Sequence, residues 1–145
     1  IVTRDKNDAT TLEKRASLLR YDSIHGDFEG SVVADPTNNA LIINGTTVHV
    51  ITANSPVEID YTHFGIDNAL VIDNTGAFTT HEALSRHLVS KGTDKVFLTA
   101  PGKGVPNIVH GVNQNEYNPA EINIFSAASC TTNAITPIRK AVEDT

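Results

Sequence analysis

Apolar positions fall in short, separate runs along this chain, and each run has its own period. "IVTRD" (1–5) places two apolar residues first and then stops in charge, as the end of a β-strand does. In "DKNDATTLEKRASLLRYD" (5–22), Leu12, Ala16 and Leu19 recur at helical steps, with Thr10 or Thr11 able to cap the helix. "GSVVAD" (30–35), "ALIING" (40–45) and "TTVHVITA" (46–53) then read as three strands. Pro-Thr-Asn-Asn turn text separates the first pair, and Asn44-Gly45, a strong hairpin signal, separates the second. The section is expected to be an antiparallel meander.

The second half changes grammar. "NALVIDN" (68–74) is a compact apolar run of the kind found in a buried parallel strand. "TTHEALSRHLVSKG" (79–92) supplies a Thr cap, Leu84 and Leu88 four apart, and Gly92 as a stop. "DKVFLTA" (94–100) and "INIFSAAS" (122–129) are further strands, and "TTNAITPIRKAVEDT" (131–145) closes as a helix. Pro137 in that helix removes the bond to the Asn133 carbonyl and should bend it locally. Strands alternating with helices predict one domain with a doubly wound α/β sheet, whose ligands bind beyond the carboxyl ends of the strands. Three strands end there in small or polar residues: "DNTG" (73–76), "TAPGKG" (99–104) and "SAASC" (126–130).

Composition narrows the choice. With 17 acidic against 11 basic residues the net charge is −6, which disfavours a nucleic-acid or membrane-surface binder. No apolar run approaches the roughly 20 residues that span a bilayer. The single cysteine among 145 residues cannot close an internal disulfide, so a cytoplasmic setting is expected. The chain has no methionine and opens on strand text, so it is expected to be a piece of a longer protein.

That cysteine, Cys130, falls where "INIFSAAS" passes into the last helix. A thiol at a helix N-terminus meets unpaired N–H groups and the positive end of the dipole, and both favour thiolate. The same N–H groups can hold an oxyanion or a phosphate. A buried structural cysteine is the commoner fate of a free thiol. Chemistry alone leaves the choice open.

"SAASCTTNAITP" (126–137) resembles the active-site signature of the phosphorylating glyceraldehyde-3-phosphate dehydrogenases. "LLRYDSIHGDFEGSV" (18–32), "NTGAFTTHEA" (74–83), "KVFLTAP" (95–101) and "GVNQNEY" (111–117) are similar to that family in the same order. The resemblance implies an α/β, Rossmann-like, doubly wound and mostly parallel sheet with an antiparallel meander insertion, incomplete at its N-terminus. Residues 1–129 would be a partial NAD(P)-binding domain without its first βα unit, and 130–145 the start of the catalytic domain.

The resemblance also implies roles. Cys130 is the nucleophile toward the aldehyde carbon, passing through a hemithioacetal and a thioester that inorganic phosphate cleaves. Ser129 and Thr131 bind the incoming phosphate, while Thr132 and Asn133 order the first helical turn. Asn74, Thr75, Gly76 and Phe78 line the cofactor path, with Thr99 and Ala100 at the next strand end. Asp5 is the carboxylate for the adenosine ribose; the segment from Asp5 to Tyr21 is about two residues longer than in the family, so Asn7 could fill that place instead. A loop aspartate among charged neighbours is the plainer reading of Asp5. Arg4 leaves NADP open beside NAD. The implied partners are an aldehyde phosphate and inorganic phosphate, with a homotetramer in the intact protein, and no nucleic acid, membrane or metal.

Four departures mark a divergent branch: Ala127 where the family has Asn, Ala134 where it repeats a cysteine, Asn54 where Arg is frequent, and "APGKG" (100–104) in place of a serine-containing loop. Erythrose-4-phosphate dehydrogenase is a close relative and an alternative, as is a non-catalytic nucleotide-binding fragment. The six histidines read as structural or surface groups, and the activating histidine is expected outside these residues. The 145 residues alone are therefore expected to be inactive.

Overall fold

The computed structural model describes residues 1–5 and 8–145. The chain forms two compact units, Ile1–Ser55 and Pro56–Thr145.

In the first unit the elements are β1 (Val2–Thr3), α1 (Ala9–Arg20), β2 (Tyr21–Asp22), β3 (Gly26–Asp27), β4 (Val32–Asp35), β5 (Ala40–Ile43), β6 (Thr46–His49) and β7 (Ile51–Thr52). Helix α1 is capped by Asp8, whose Oδ1 accepts the Thr11 N–H at 2.8 Å, and not by Thr10 or Thr11. Asp8 has the extended backbone a cap needs, whereas both threonines already lie in the helix. Leu12 and Ala16 are fully buried against Val32, Leu41 and Val50. Leu19, the third position of the helical pattern, is exposed one residue before the helix ends.

Strands β4, β5 and β6 form the expected antiparallel meander, with Val32 opposite Ile43 and Ile43 opposite Thr46. Asn44 (φ 48°) and Gly45 (φ 80°) both take the left-handed conformation of a two-residue hairpin turn. "TTVHVITA" does not form one strand. It breaks at Val50, which is 3% exposed and donates its N–H to the Asn39 carbonyl at 2.8 Å. Beyond the break, β7 pairs in parallel with β1, Val2 opposite Ile51.

The second unit contains short 3₁₀ turns at Pro56–Glu58, Tyr61–Phe64 and Gln114–Glu116. Its regular elements are β8 (Ala69–Asp73), α2 (His81–Leu88), β9 (Thr93–Leu98), β10 (Ile124–Ser126) and α3 (Cys130–Glu143). The three strands are parallel, in the order β10-β9-β8. Thr80 caps α2, accepting the Ala83 N–H at 3.2 Å. After it Gly92 turns at φ 87°, where a Cβ would lie 2.5 Å from the Ile66 carbonyl oxygen. Leu84 of α2 packs on Val96, Leu98 and Ile124 of the sheet and on Val105.

"NALVIDN" is less buried than its apolar run implied. Val71 is half-buried and Asp73 buried, while Leu70 and Ile72 are 50% and 56% exposed. The pleat sends alternate residues to opposite faces, and they lie on the face away from the Leu84 core. Helix α3 carries Pro137 within it and has no buried residue, and Ile135, Ile138 and Val142 are exposed along it. No described helix is long and apolar enough to cross a membrane.

Gly45→Ala is expected to cost about 1–2 kcal/mol, because only its left-handed φ opposes the methyl and open space surrounds it. Leu84→Ala is expected to cost about 2–5 kcal/mol, and Ile72→Ala much less, since only the first empties a packed core. Urea midpoints of the three variants read these differences. Equal losses for Leu84 and Ile72 would contradict the one-sided core.

Candidate functional site

The carboxyl ends of β8, β9 and β10 lie side by side, and hydrogen bonds fasten the segments that leave them. The Thr99 N–H donates to the Asp73 carbonyl at 3.0 Å, and the Ala127 N–H to the Leu98 carbonyl at 2.9 Å. Ser126, fully buried, donates its hydroxyl to the Ala100 carbonyl at 2.5 Å and accepts the Ala128 N–H at 2.9 Å. Asn74, Thr75, Gly76 and Phe78, Thr99 and Ala100, and Ser129, Cys130 and Thr131 all follow this one edge.

At the β10 end the chain makes a strained turn. Ala128 is buried and left-handed, at φ 60°. A non-glycine residue held there costs on the order of 1 kcal/mol and persists only where its surroundings fix it. The Ser126 hydroxyl on its N–H is one such constraint. The turn delivers Ser129 as the cap of α3, with Oγ accepting the Thr132 N–H at 2.9 Å and sharing a 2.7 Å bond with Thr132 Oγ1. Asn133 braces the turn from the other side, donating Nδ2 to the Ala127 carbonyl at 2.7 Å and the Ser129 carbonyl at 2.9 Å. The Asn133 N–H also goes to the Ser129 carbonyl. The N–H groups of Cys130 and Thr131 are left without a described partner at the positive end of the helix.

Cys130 is the first residue of α3, exposed, with a free thiol. Thr131 beside it is exposed too. The Ser129 hydroxyl is engaged by the helix it caps.

At the β8 end, Asn74, Thr75, Gly76 and Ala77 are exposed and Phe78 is half-buried. Gly76 has φ 72° and open space where a Cβ would stand. Beneath this loop lies Asp73, whose side chain has no exposed surface. Its Oδ1 accepts the Thr75 N–H at 2.9 Å and hydroxyl at 2.8 Å, and its Oδ2 lies 2.9 Å from His87 Nε2. The His87 ring meets the Phe78 ring edge-on, centroids 5.2 Å apart. Burial by itself would raise the Asp73 carboxyl. The bonds from His87 and from the Thr75 N–H and hydroxyl outweigh it, and the net displacement is below the ordinary 3.8.

Asp73 and His87 were not picked out from the sequence, where Asp73 was a strand end and His87 a structural histidine. The available signal was spacing: His87 stands three residues after the core residue Leu84, on the same helix face.

Asp5 belongs to the first unit, just after β1. It is ion-paired to Arg15, Nη2 to Oδ2 at 2.6 Å, and its side chain is 70% exposed. Asn7, the alternative to Asp5, lies outside the described residues. Among the described residues there is no group of three His, Cys, Asp or Glu side chains able to hold a metal ion.

Residues 4–81 match the family model described as glyceraldehyde 3-phosphate dehydrogenase, NAD binding domain. The chain is 54% identical over 99% of its length to a glyceraldehyde-3-phosphate dehydrogenase-like protein of Pseudomonas aeruginosa. It is 41% identical over 95% to glyceraldehyde-3-phosphate dehydrogenase 2 of Synechocystis, and 42% identical over 90% to the glyceraldehyde-3-phosphate dehydrogenase of Ogataea parapolymorpha. The matched segments cover 31%, 40% and 37% of those relatives.

A carboxyl whose native pKa is depressed stabilises the fold above its unfolded pKa of about 3.9, and that contribution is lost as pH falls through the native value. Asp73→Asn should therefore cost about 1–3 kcal/mol at neutral pH, with the gap to wild type closing as pH falls below about 4. Urea midpoints from pH 7 to pH 3 measure it, and a gap that does not narrow would contradict an ionised Asp73.

Proposed function

Since the chain belongs to the family of the glyceraldehyde 3-phosphate dehydrogenase NAD-binding domain, we propose that its carboxyl strand edge brings NAD together with the substrate of a phosphorylating aldehyde dehydrogenase. The substrate is glyceraldehyde 3-phosphate and the nucleophile Cys130. One observation carries this reading: the only thiol is exposed at the first position of a helix, at the same sheet edge as a bare glycine loop. A buried sulfur away from any helix start would have left a family likeness and no site.

The residues at this edge fit a dinucleotide. Gly76 lets a ligand approach the backbone where a side chain would block it. Asn74, Thr75 and Thr99 are exposed polar side chains, and Phe78 and Ala100 offer apolar surface. In the first unit, Asp5 is the residue proposed for a ribose hydroxyl, with its Oδ2 paired to Arg15. Arg4 beside it leaves a 2′-phosphate, and so NADP, acceptable. NAD, when bound, supplies the hydride acceptor that carries the Cys130 adduct to a thioester.

Cys130 first forms a carbon–sulfur bond to the aldehyde carbon, and its thiol proton goes to a base supplied from beyond these residues. The charge that gathers on the former carbonyl oxygen is met by the Cys130 N–H. In the second half a phosphate oxygen attacks the acyl carbon, the carbon–sulfur bond breaks, and the sulfur leaves as thiolate. The Thr131 hydroxyl and N–H receive that phosphate. Ser129 contributes chiefly by capping α3, which fixes those donors.

Residues 1–129 would then be the cofactor-binding part, and α3 would open a following catalytic domain that covers its exposed Ile135, Ile138 and Val142. The intact enzyme would be a cytoplasmic homotetramer.

The test uses the intact protein. Iodoacetamide near pH 7 should label the exposed Cys130 readily. Labelling, or Cys130→Ser, should abolish NAD reduction with glyceraldehyde 3-phosphate and phosphate. Slow labelling with full activity in Cys130→Ser would sink the proposal. Faster turnover of erythrose 4-phosphate in the same assay would reassign the substrate, and turnover by these 145 residues alone would refute the need for an outside base.

A further inference from the structure

We propose that His87 and Asp73 are positioning residues that set the shape of the 74–78 cofactor loop from beneath it. The inference rests on the reading of that loop as part of the NAD site.

The loop has little else to hold it. Residues 74–77 are exposed, and Gly76, at φ 72° with open space around it, is of the residue type least restricted in its backbone. The Asp73 carboxylate gathers both Thr75 donors on one oxygen. The Thr75 hydroxyl in turn accepts the Ala77 N–H at 3.1 Å, which carries the constraint across Gly76. The Asp73 carbonyl accepts the Thr99 N–H at 3.0 Å and hydroxyl at 3.2 Å, tying the next strand end to the same residue. Only one atom of the carboxylate remains, Oδ2, and His87 takes it.

His87 reaches this point from α2, the helix that the loop leads into. An ionised Asp73 can only accept, so His87 Nε2 is the donor. The ring's other face of duty is apolar: it abuts Phe78, the last residue of the loop. One side chain therefore holds the loop at both ends, through Asp73 at its start and Phe78 at its finish. The cost of this arrangement is visible at His87 Nδ1, which is buried without a hydrogen-bond partner among the described residues. An unsatisfied buried nitrogen is destabilising. A residue present only to fill the core would be better served by leucine at this position.

The experiment compares His87→Ala and His87→Gln in the intact protein. His87→Ala removes the donor and the ring. It should raise the KM and Kd for NAD about tenfold, the equivalent of one lost buried hydrogen bond. kcat at saturating NAD should fall by less than KM rises. Without cofactor, amide exchange at Thr75 and Ala77 should accelerate. His87→Gln, whose Nε2 can still donate to Asp73, should recover most of both effects. If His87 merely fills the core, His87→Ala will lower the melting temperature yet leave KM and loop exchange at wild-type values, and the proposal is overturned. Should His87→Ala not fold, Thr75→Val cuts the loop's side of the same clamp, and an unchanged KM for NAD there overturns it equally. Wild-type protein that binds no NAD overturns the reading of the site as well, a result distinct from normal wild-type binding with unresponsive variants.

Discussion

A carboxylate with no access to water has to be met by donors from the protein, and Asp73 meets that demand with a histidine, a threonine N–H and a threonine hydroxyl. Those three bonds link the end of β8 to the loop that follows it and to the helix beyond. Without them the loop would be a run of exposed residues around a flexible glycine. The buried charge is thus the constraint through which a rigid sheet passes its order to a solvent-facing edge. Its depressed pKa expresses the same fact, since the native state is built around the ionised form.

The β10 end reaches the same result by neutral means. Ser126 is buried and spends its hydroxyl on the neighbouring loop and on the strained Ala128, and that strain aims the next residues into the start of α3. Ser129 and Asn133 then close the first turn, so the thiol stands at the helix start beside N–H groups with no described partner. Small residues in "SAAS" accompany this tight turn. The exposed thiol follows from that turn.

Several elements were legible in the sequence because local chemistry alone selects them. The Asn44-Gly45 turn needs two left-handed residues, and few pairs supply them. The Thr80 cap and the 3.6-residue spacing of α2 are likewise local. Other expectations failed for want of partners. Asp8 rather than Thr10 or Thr11 caps α1, because the helix began earlier than its apolar pattern. "TTVHVITA" divides at Val50, which turns into the core, and its last part joins β1 instead of the meander. Leu70 and Ile72 carry the same apolar text as Val71, yet only one face of β8 is covered.

What the sequence determined by itself is most of the longer elements, the family and the candidate residues at three strand ends, since periodicity, turn residues and a contiguous motif are all properties of neighbours along the chain. Only the tertiary structure decided that Asp73 is a buried anchor, that His87 serves it, and that Ser129 spends its hydroxyl on a helix cap. Those assignments depend on which donor lies within about 3 Å of which acceptor, and residues fourteen apart in sequence reach that distance only after the strand and helix between them have packed.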